Sequence, residues 1–208
     1  LAAERLSMKL EKKLDPADAA LLSRATSTII DQVDAMKKMV NDFRDFARLP
    51  PPSLKAVDLN ALIEDMITFY HSGGIRILRE LESPLPAVSV DAAQIRQVLF
   101  NLLGNSIEAC ADVNNPKIYI RTESVSAEGS PSAVRMTIED NGPGFQTSVL
   151  ARAFEPYITT KTTGTGLGLP MVKKILDEHK AKISIENKLE DDAIVLGARV
   201  TIVFPVAA

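Results

Sequence analysis

The sequence predicts an α+β chain in two parts: an N-terminal antiparallel helical hairpin, expected to dimerise into a four-helix bundle, and behind it an α/β layer sandwich. Three observations carry this expectation. Apolar residues from Ala19 onward recur at alternating spacings of three and four, and Pro50, Pro51 and Pro52 stop that repeat. Beyond the prolines, strand-like and helical runs alternate so that several strands follow one another directly, which favours a mixed or antiparallel sheet with helices on one face. The expected organisation is a hairpin over 1–49, a proline-rich linker over 50–57 and a second domain over 58–208.

The first element is short. Ala3, Leu6 and Leu10 share the seam spacing before a break at Leu14-Asp15. Asp15 then suits an N-cap, Pro16 the first helical position, and Asp18 the first turn. The helix from about 16 to 48 carries a heptad through Ala19, Leu22, Thr26, Ile29, Val33, Met36, Val40, Phe43 and Ala47. At 1.5 Å per residue it would be about 45–50 Å long, and one hairpin leaves much of such a seam uncovered, so a second copy is the natural cover.

After the prolines, Asp58 caps a helix from about Leu59 to Tyr70, which Ser72-Gly73-Gly74 ends. Ile75 to Leu81 and Ala87 to Val90 read as strands. Asp91 caps a long helix, Ala92 to about Ala111, with Ile95, Val98, Leu99, Leu102 and Ile107 on its buried side. Strands follow over Lys117 to Glu123 and Ala133 to Asp140, separated by a polar loop. Met171 to His179 reads as a helix, and Lys182 to Asn187 with Ala198 to Phe204 as a closing antiparallel pair.

Composition excludes several classes. With 24 Lys and Arg against 27 Asp and Glu, a net charge of −3 and no basic cluster, nucleic-acid binding is not expected. The lone Cys110 excludes an internal disulfide and a multi-Cys zinc site, and reads as a small buried side chain. No apolar run approaches a membrane span of about 18 residues, so the chain is expected to be soluble. Beginning at Leu1 in what reads as mid-helix, it is expected to be a fragment.

Three motifs carry chemistry. Asn101, Asn105 and Glu108 fall on one helix face, where Asn is a poor helix former and its amide oxygen would suit Mg²⁺; an ordinary polar face explains them as readily. Asp140-Asn141-Gly142-Pro143-Gly144 follows an apolar strand, so that a carboxylate meets a loop with room for a ligand, or else a tight turn. Gly164-Thr165-Gly166-Leu167-Gly168-Leu169-Pro170 opens a helix, with Pro170 read at its first position and unpaired N–H groups suited to phosphate. Lys161 could add charge. The spacing matches neither G-x-G-x-x-G nor a P-loop. Between the two glycine clusters, Phe145 to Thr163 has the length of a lid, with Phe154 and Tyr157 as candidate anchors.

In this order the motifs resemble the Bergerat-type (GHKL) ATP-binding fold and, within it, the catalytic domain of sensor histidine kinases. Asn101 to Ala109 looks like the N box, Asp140 to Gly144 the first glycine box, Phe154-Glu155-Pro156 the F box, Gly164 to Leu169 the second glycine box, and Gly197 to Pro205 the terminal strand. Phe154 to Lys161 and Ala3-Glu4-Arg5-Leu6 are most similar to the nitrogen-regulation sensor kinases, the NtrY type first and the NtrB type second.

The resemblance implies ATP and Mg²⁺ as cofactors, with Asn101 and Asn105 at the nucleotide and Asn105 as the metal ligand. Asp140 would read the adenine amino group and Gly142 and Gly144 shape the floor. Gly164, Thr165, Gly166, Leu167 and Gly168 would close with Lys161 over the phosphates. ATP-hydrolysing relatives carry a general-base Glu where this chain has Asn101, so transfer to a protein side chain is implied rather than hydrolysis. The hairpin matches the dimerisation and phosphotransfer domain, making the implied partners a second copy and a response-regulator receiver domain. The acceptor His of the family is expected upstream of Leu1, in a cytoplasmic piece of a membrane-anchored parent. This leaves no catalytic residue to name within the chain and no autophosphorylation at the usual position. His71 and His179 read as surface or capping residues. Pro170 stands where Ala is usual and Lys180-Ala181 where Gly-Gly is. The alternatives are a serine-kinase or anti-sigma-factor relative of the same fold, and a dimeric binding module whose nucleotide site sets domain orientation.

Overall fold

The computed structural model describes residues 2–10, 13–70, 75–127, 130–161, 164–190 and 194–207. The chain divides into two compact units, residues 1–49 with 161–165 and residues 50–160 with 166–208. His71, Gly73, Gly74 and Thr163 lie outside the described residues.

The first unit holds α1 (Ala2–Leu10) and α2 (Pro16–Ala47), which touch one another. α2 starts as its sequence dictates: Asp15 Oδ1 accepts from Ala17 N at 2.9 Å and Asp18 N at 3.0 Å, with Pro16 inside the first turn. Of the heptad positions, Thr26 is buried and turns its hydroxyl back onto Leu22 O, while Ile29, Met36, Val40 and Phe43 are each more than half exposed. The seam is thus present in the sequence but mostly uncovered within one chain.

The second unit is built on a five-stranded sheet in the order β2-β4-β5-β7-β6, formed by β2 (Arg76–Leu81), β4 (Lys117–Ala127), β5 (Ser130–Asp140), β6 (Lys182–Glu190) and β7 (Ile194–Pro205). β2 runs parallel to β4 and every other pairing is antiparallel, giving the mixed sheet expected from strand order. Period-two alternation divides its faces. Ile118, Ile120 and Thr122, then Val134, Met136 and Ile138, then Ala198, Val200, Ile202 and Phe204 are buried. Their neighbours Arg121, Arg135 and Arg199 face the other way and pair with Glu80, Glu123 and Glu139. The most exposed of these, Arg121–Glu80, contributes little to stability.

The apolar face is covered by α3 (Leu59–Tyr70), α4 (Ala92–Ala109) and α6 (Gly168–Glu178), which bury Leu62 and Ile63, Ile95 and Leu99, and Val172 and Ile175. α4 carries the Asp91 cap expected of it, with Oδ1 accepting from Ala93 N at 2.9 Å. Ile107 is only half-buried and Leu103 and Ser106 take its place in the core, a shift of the buried stripe by less than a turn.

Several expectations need correcting. Residues 50–57 are not all linker: β1 (Lys55–Val57) pairs antiparallel with β3 (Val88–Val90). Three residues are too few to show periodicity, and the pairing is set from outside by Ser53 N donating to Asp91 Oδ2 and Gln94 Nε2 to Pro50 O. The polar loop between the central strands is mostly strand, since β4 and β5 extend to Ala127 and Ser130 past an irregularity at Val125/Ser126. A short α5 (Thr147–Leu150) interrupts the lid segment. The Tyr157 side chain is exposed, so this residue holds the segment through its backbone N–H to Gly166 O, while Ala153 is the buried residue of the segment. Pro170 occupies the third position of α6, because the helix starts at Gly168. Lys180 adopts the left-handed conformation, φ 56°, that Gly usually supplies, and Ala181 N to Leu176 O and Lys180 N to Asp177 O close the end of α6 around it.

Candidate functional site

The alternation of β5 decides where Asp140 goes. It follows Val134, Met136 and Ile138 at the same period, so its carboxylate is placed on the core face of the sheet and is 5% exposed. A buried carboxylate needs partners. Oδ1 accepts from Gly142 N at 3.0 Å and Ala198 N at 3.2 Å, and both bonds fall on this one oxygen. Oδ2 is the oxygen through which Asp140 can meet a donor from a ligand. Gly197 makes the approach of β7 possible, because a Cβ there would lie 1.9 Å from Asp140 O.

The loop after Asp140 is held from several sides. Asn141 Oδ1 accepts from Lys117 N at 2.8 Å and from the Cys110 thiol at 3.6 Å. Burial, and then the Asp140 charge, push the Cys110 thiol up, so it remains a protonated packing group as its composition suggested. A Cβ on Gly142 would stand 3.0 Å from Ala109 O, which packs the loop against the end of α4. Gly144 has φ +72°, open to Gly and costly for other residues.

On α4, Asn101 Nδ2 donates to Gln97 O at 2.9 Å. Its Oδ1 faces α6, where a Cβ on Gly168 would lie 3.1 Å away. Asn105, one turn on, is half-buried and Glu108 is exposed. α6 begins with Leu167 as N-cap and no side chain caps it. Met171 N to Leu167 O is the first bond of the helix, so the early Gly168 and Leu169 N–H groups lie in the uncapped turn, and Pro170 has none. Leu167 is 1% exposed, so it can offer a ligand its backbone alone. Gly166, φ +67°, fits against Tyr157, whose N–H donates to Gly166 O at 3.1 Å.

The structure therefore brings Asn101 to Gly168 and Asp140 to Gly142, with Gly144 closing the same loop. Lys161, Gly164 and Thr165 group with the first unit instead. There Thr165 Oγ1 donates to Asp42 Oδ2 at 2.8 Å and Gly164 N to Lys161 O at 3.3 Å. His179 is the C-cap of α6, as the capping reading expects, and is not at the surface. It is 1% exposed at the end of α6, accepting from Asp91 N at Nε2, 2.9 Å, with Nδ1 2.7 Å from Ile175 O. A backbone N–H on Nε2 requires the Nδ1–H tautomer, so both nitrogens are occupied.

Sequence reasoning missed Asn141, Ala198 and Asn187 as supports of the first loop. The available signal was Asn187, a residue depleted in strands, within an otherwise ordinary strand.

Residues 90–208 match the family model described as histidine kinase-, DNA gyrase B- and HSP90-like ATPase. The chain is 33% identical to the nitrogen regulation protein NtrY of Azorhizobium caulinodans over 91% of its length and 25% of that protein's. It spans about a quarter to a third of the first curated relatives it matches. The catalytic domain of histidine kinase ThkA shares 31% identity over 74% of this chain and 96% of the other, with a TM-score of 0.63. ThkA in complex with response regulator protein TrrA aligns over 99% of this chain and 57% of the other at 25% identity and a TM-score of 0.72.

Proposed function

The chain belongs to the histidine kinase-, DNA gyrase B- and HSP90-like ATPase family, and we propose that its second unit is the Mg-ATP-binding catalytic domain of a two-component sensor kinase. It transfers the γ-phosphoryl group to a His on a helical bundle, from which the group passes to an Asp of a receiver domain. The observation that carries this reading is the buried Asp140 carboxylate, one oxygen of which is held by two backbone N–H groups; its second oxygen is the acceptor we assign to the adenine amino group.

Around it, the uncapped start of α6 supplies N–H groups for phosphate oxygens. The amide oxygen of Asn105 is a hard donor that fits Mg²⁺, which takes few protein ligands beside phosphate oxygens. When bound, the ion neutralises charge on the phosphates. Asn101 has no basic group to activate water, and its amide is turned onto Gln97 O and toward Gly168, which supports transfer to a side chain over hydrolysis. The resemblance to sensor kinases gives Lys161, Gly164, Thr165, Gly166, Leu167 and Gly168 the role of phosphate cover. His179, engaged at both nitrogens, is not the acceptor.

The first unit, over 1–49, is the dimerisation and phosphotransfer element. The exposed Ile29, Met36, Val40 and Phe43 seam supports a homodimer, in which a second hairpin covers them. The receiver-domain partner rests on the likeness to sensor kinases.

Calorimetric titration with Mg-ATP tests the reading. The chain binds, Asp140→Asn weakens binding at least tenfold through loss of a charge-assisted bond, and Asn105→Ala removes the Mg²⁺ dependence. Mixed with ATP and a chain carrying an acceptor His motif, the protein yields acid-labile, base-stable phosphate on that chain. Absence of ATP binding by the unaltered protein overturns the reading.

A further inference from the structure

Asn187 lies on β6, outside every motif discussed above, and its side-chain amide makes two bonds to a single residue of the first glycine loop. Oδ1 accepts from Phe145 N at 2.7 Å and Nδ2 donates to Phe145 O at 2.8 Å. An amide that satisfies both polar groups of one residue does for that residue what a neighbouring strand would do. Phe145 directly follows Gly144, where a Cβ would stand 2.7 Å from Asn187 Oδ1 and 2.5 Å from Val195 Cγ1. The loop is thus seated on the β6–β7 hairpin with no room for a side chain between them.

The other end of the loop is held by the same rung of the sheet. Asn187 pairs with Ala198 across β6 and β7. Ala198 N donates to the Asp140 carboxylate, and the Asn187 side chain holds Phe145. One cross-strand pair therefore holds both ends of residues 140–145, and with them the orientation of the Asp140 carboxylate and the left-handed turn at Gly144.

We infer that Asn187 is a positioning residue for base recognition, fixing the first glycine loop in its binding geometry before the nucleotide arrives. This inference rests on the ATP-binding reading. Asn187 does not touch the nucleotide. Its loss leaves a loop that must be ordered at the moment of binding, and that cost appears in affinity. Two neutral hydrogen bonds of ordinary net worth correspond to about tenfold in Kd. Because the loop also aims the Asp140 carboxylate, the preference for adenine over guanine narrows together with affinity.

The test compares Asn187→Ala with Asn60→Ala in the full chain. Asn60 is a matched control: its amide donates to Glu82 O and accepts from Thr122 Oγ1, both at 2.8 Å, remote from the glycine loop. Binding of Mg-ATP and Mg-GTP is measured by calorimetry, and exchange of the Phe145 amide by NMR. Asn187→Ala is expected to bind ATP about tenfold more weakly, with a narrowed ATP-to-GTP ratio and a Phe145 amide that exchanges at least tenfold faster. Asn60→Ala is expected to lower the melting temperature and leave both ratios unchanged. Should Asn187→Ala fold poorly, Asn187→Asp keeps the acceptor for Phe145 N, loses the donor, and is expected to narrow the same ratio. Unaltered affinity and ratio in the Asn187 variants, with the parent chain binding ATP normally, overturn the inference alone. No ATP binding by the parent chain overturns the underlying reading and the inference with it.

Discussion

α4 and α6 are neighbouring helices of one unit, packed on the same sheet and on each other, yet they begin in opposite ways. The start of α4 is closed: Asp91 accepts from Ala93 N and Gln94 N with one oxygen and from Ser53 N with the other, while its own N–H is taken by His179. The start of α6 has the buried, apolar Leu167 at its cap position and no side-chain acceptor. A helix start satisfied by its own protein is a structural joint. The start of α6 keeps uncapped N–H groups at the positive end of its helix, the arrangement on which the proposed phosphate contact rests.

The largest way to break this contrast is at the turn that leads into α6. Gly166→Ala would place a Cβ 2.7 Å from Tyr157 Cα at φ +67°, and is expected to cost about 2 kcal/mol or more and to weaken ATP binding at least tenfold. Urea unfolding beside calorimetry measures both. Asp91→Ala opens the start of α4 instead and is expected to cost about 1–2 kcal/mol while leaving the ATP affinity unchanged.

The closed start also carries a pH signature. The Ser53 N–H, followed by those of Gln94 and Ala93, holds the Asp91 carboxyl below its ordinary value. A lowered folded-state pKa contributes stability that is full above the unfolded value of about 3.9 and is lost as pH falls through the folded value. Melting temperature against pH should therefore fall less steeply below about pH 4 in Asp91→Ala than in the parent.

Two smaller changes sharpen the comparison by improving each helix without touching its start. Lys180→Gly relieves the left-handed residue that ends α6 and is expected to stabilise by about 1 kcal/mol in chemical denaturation. Gly104→Ala, in mid-α4 with nothing within 4 Å of the added Cβ, is expected to stabilise by about 0.8 kcal/mol on the same measurement. If both raise stability as expected, the helix bodies are ordinary and the distinction lies in their starts.

Much of this was legible along the chain. Asp15, Asp58 and Asp91 each announced a helix start, and each accepts from backbone N–H groups of the first turn. Caps are local, decided by a side chain and the next three residues. Asn101, Asp140 and the glycines of the two loops were readable because their types are anomalous for a helix, a strand end and a helix start. What escaped reading was non-local. β1 is three residues long and exists because β3 and Asp91 hold it. His179 is the C-cap of α6, as one of its two readings has it, but its burial depends on Asp91, 88 positions away. The bond from the Thr165 hydroxyl to Asp42 spans 123 positions, beyond the reach of any local motif.

By itself the sequence determined the heptad seam of α2, the three capped helix starts and the mixed α+β order. These follow from periodicity and from contacts within about four residues, which a linear reading can reach. Only the tertiary structure decided that Asp140 falls in the buried row of β5, that Ala198 N holds one of its oxygens, and that the rung partner Asn187 ties down the far end of the loop. Those depend on the register of β5, β6 and β7, where a slip of one residue turns every side chain to the opposite face.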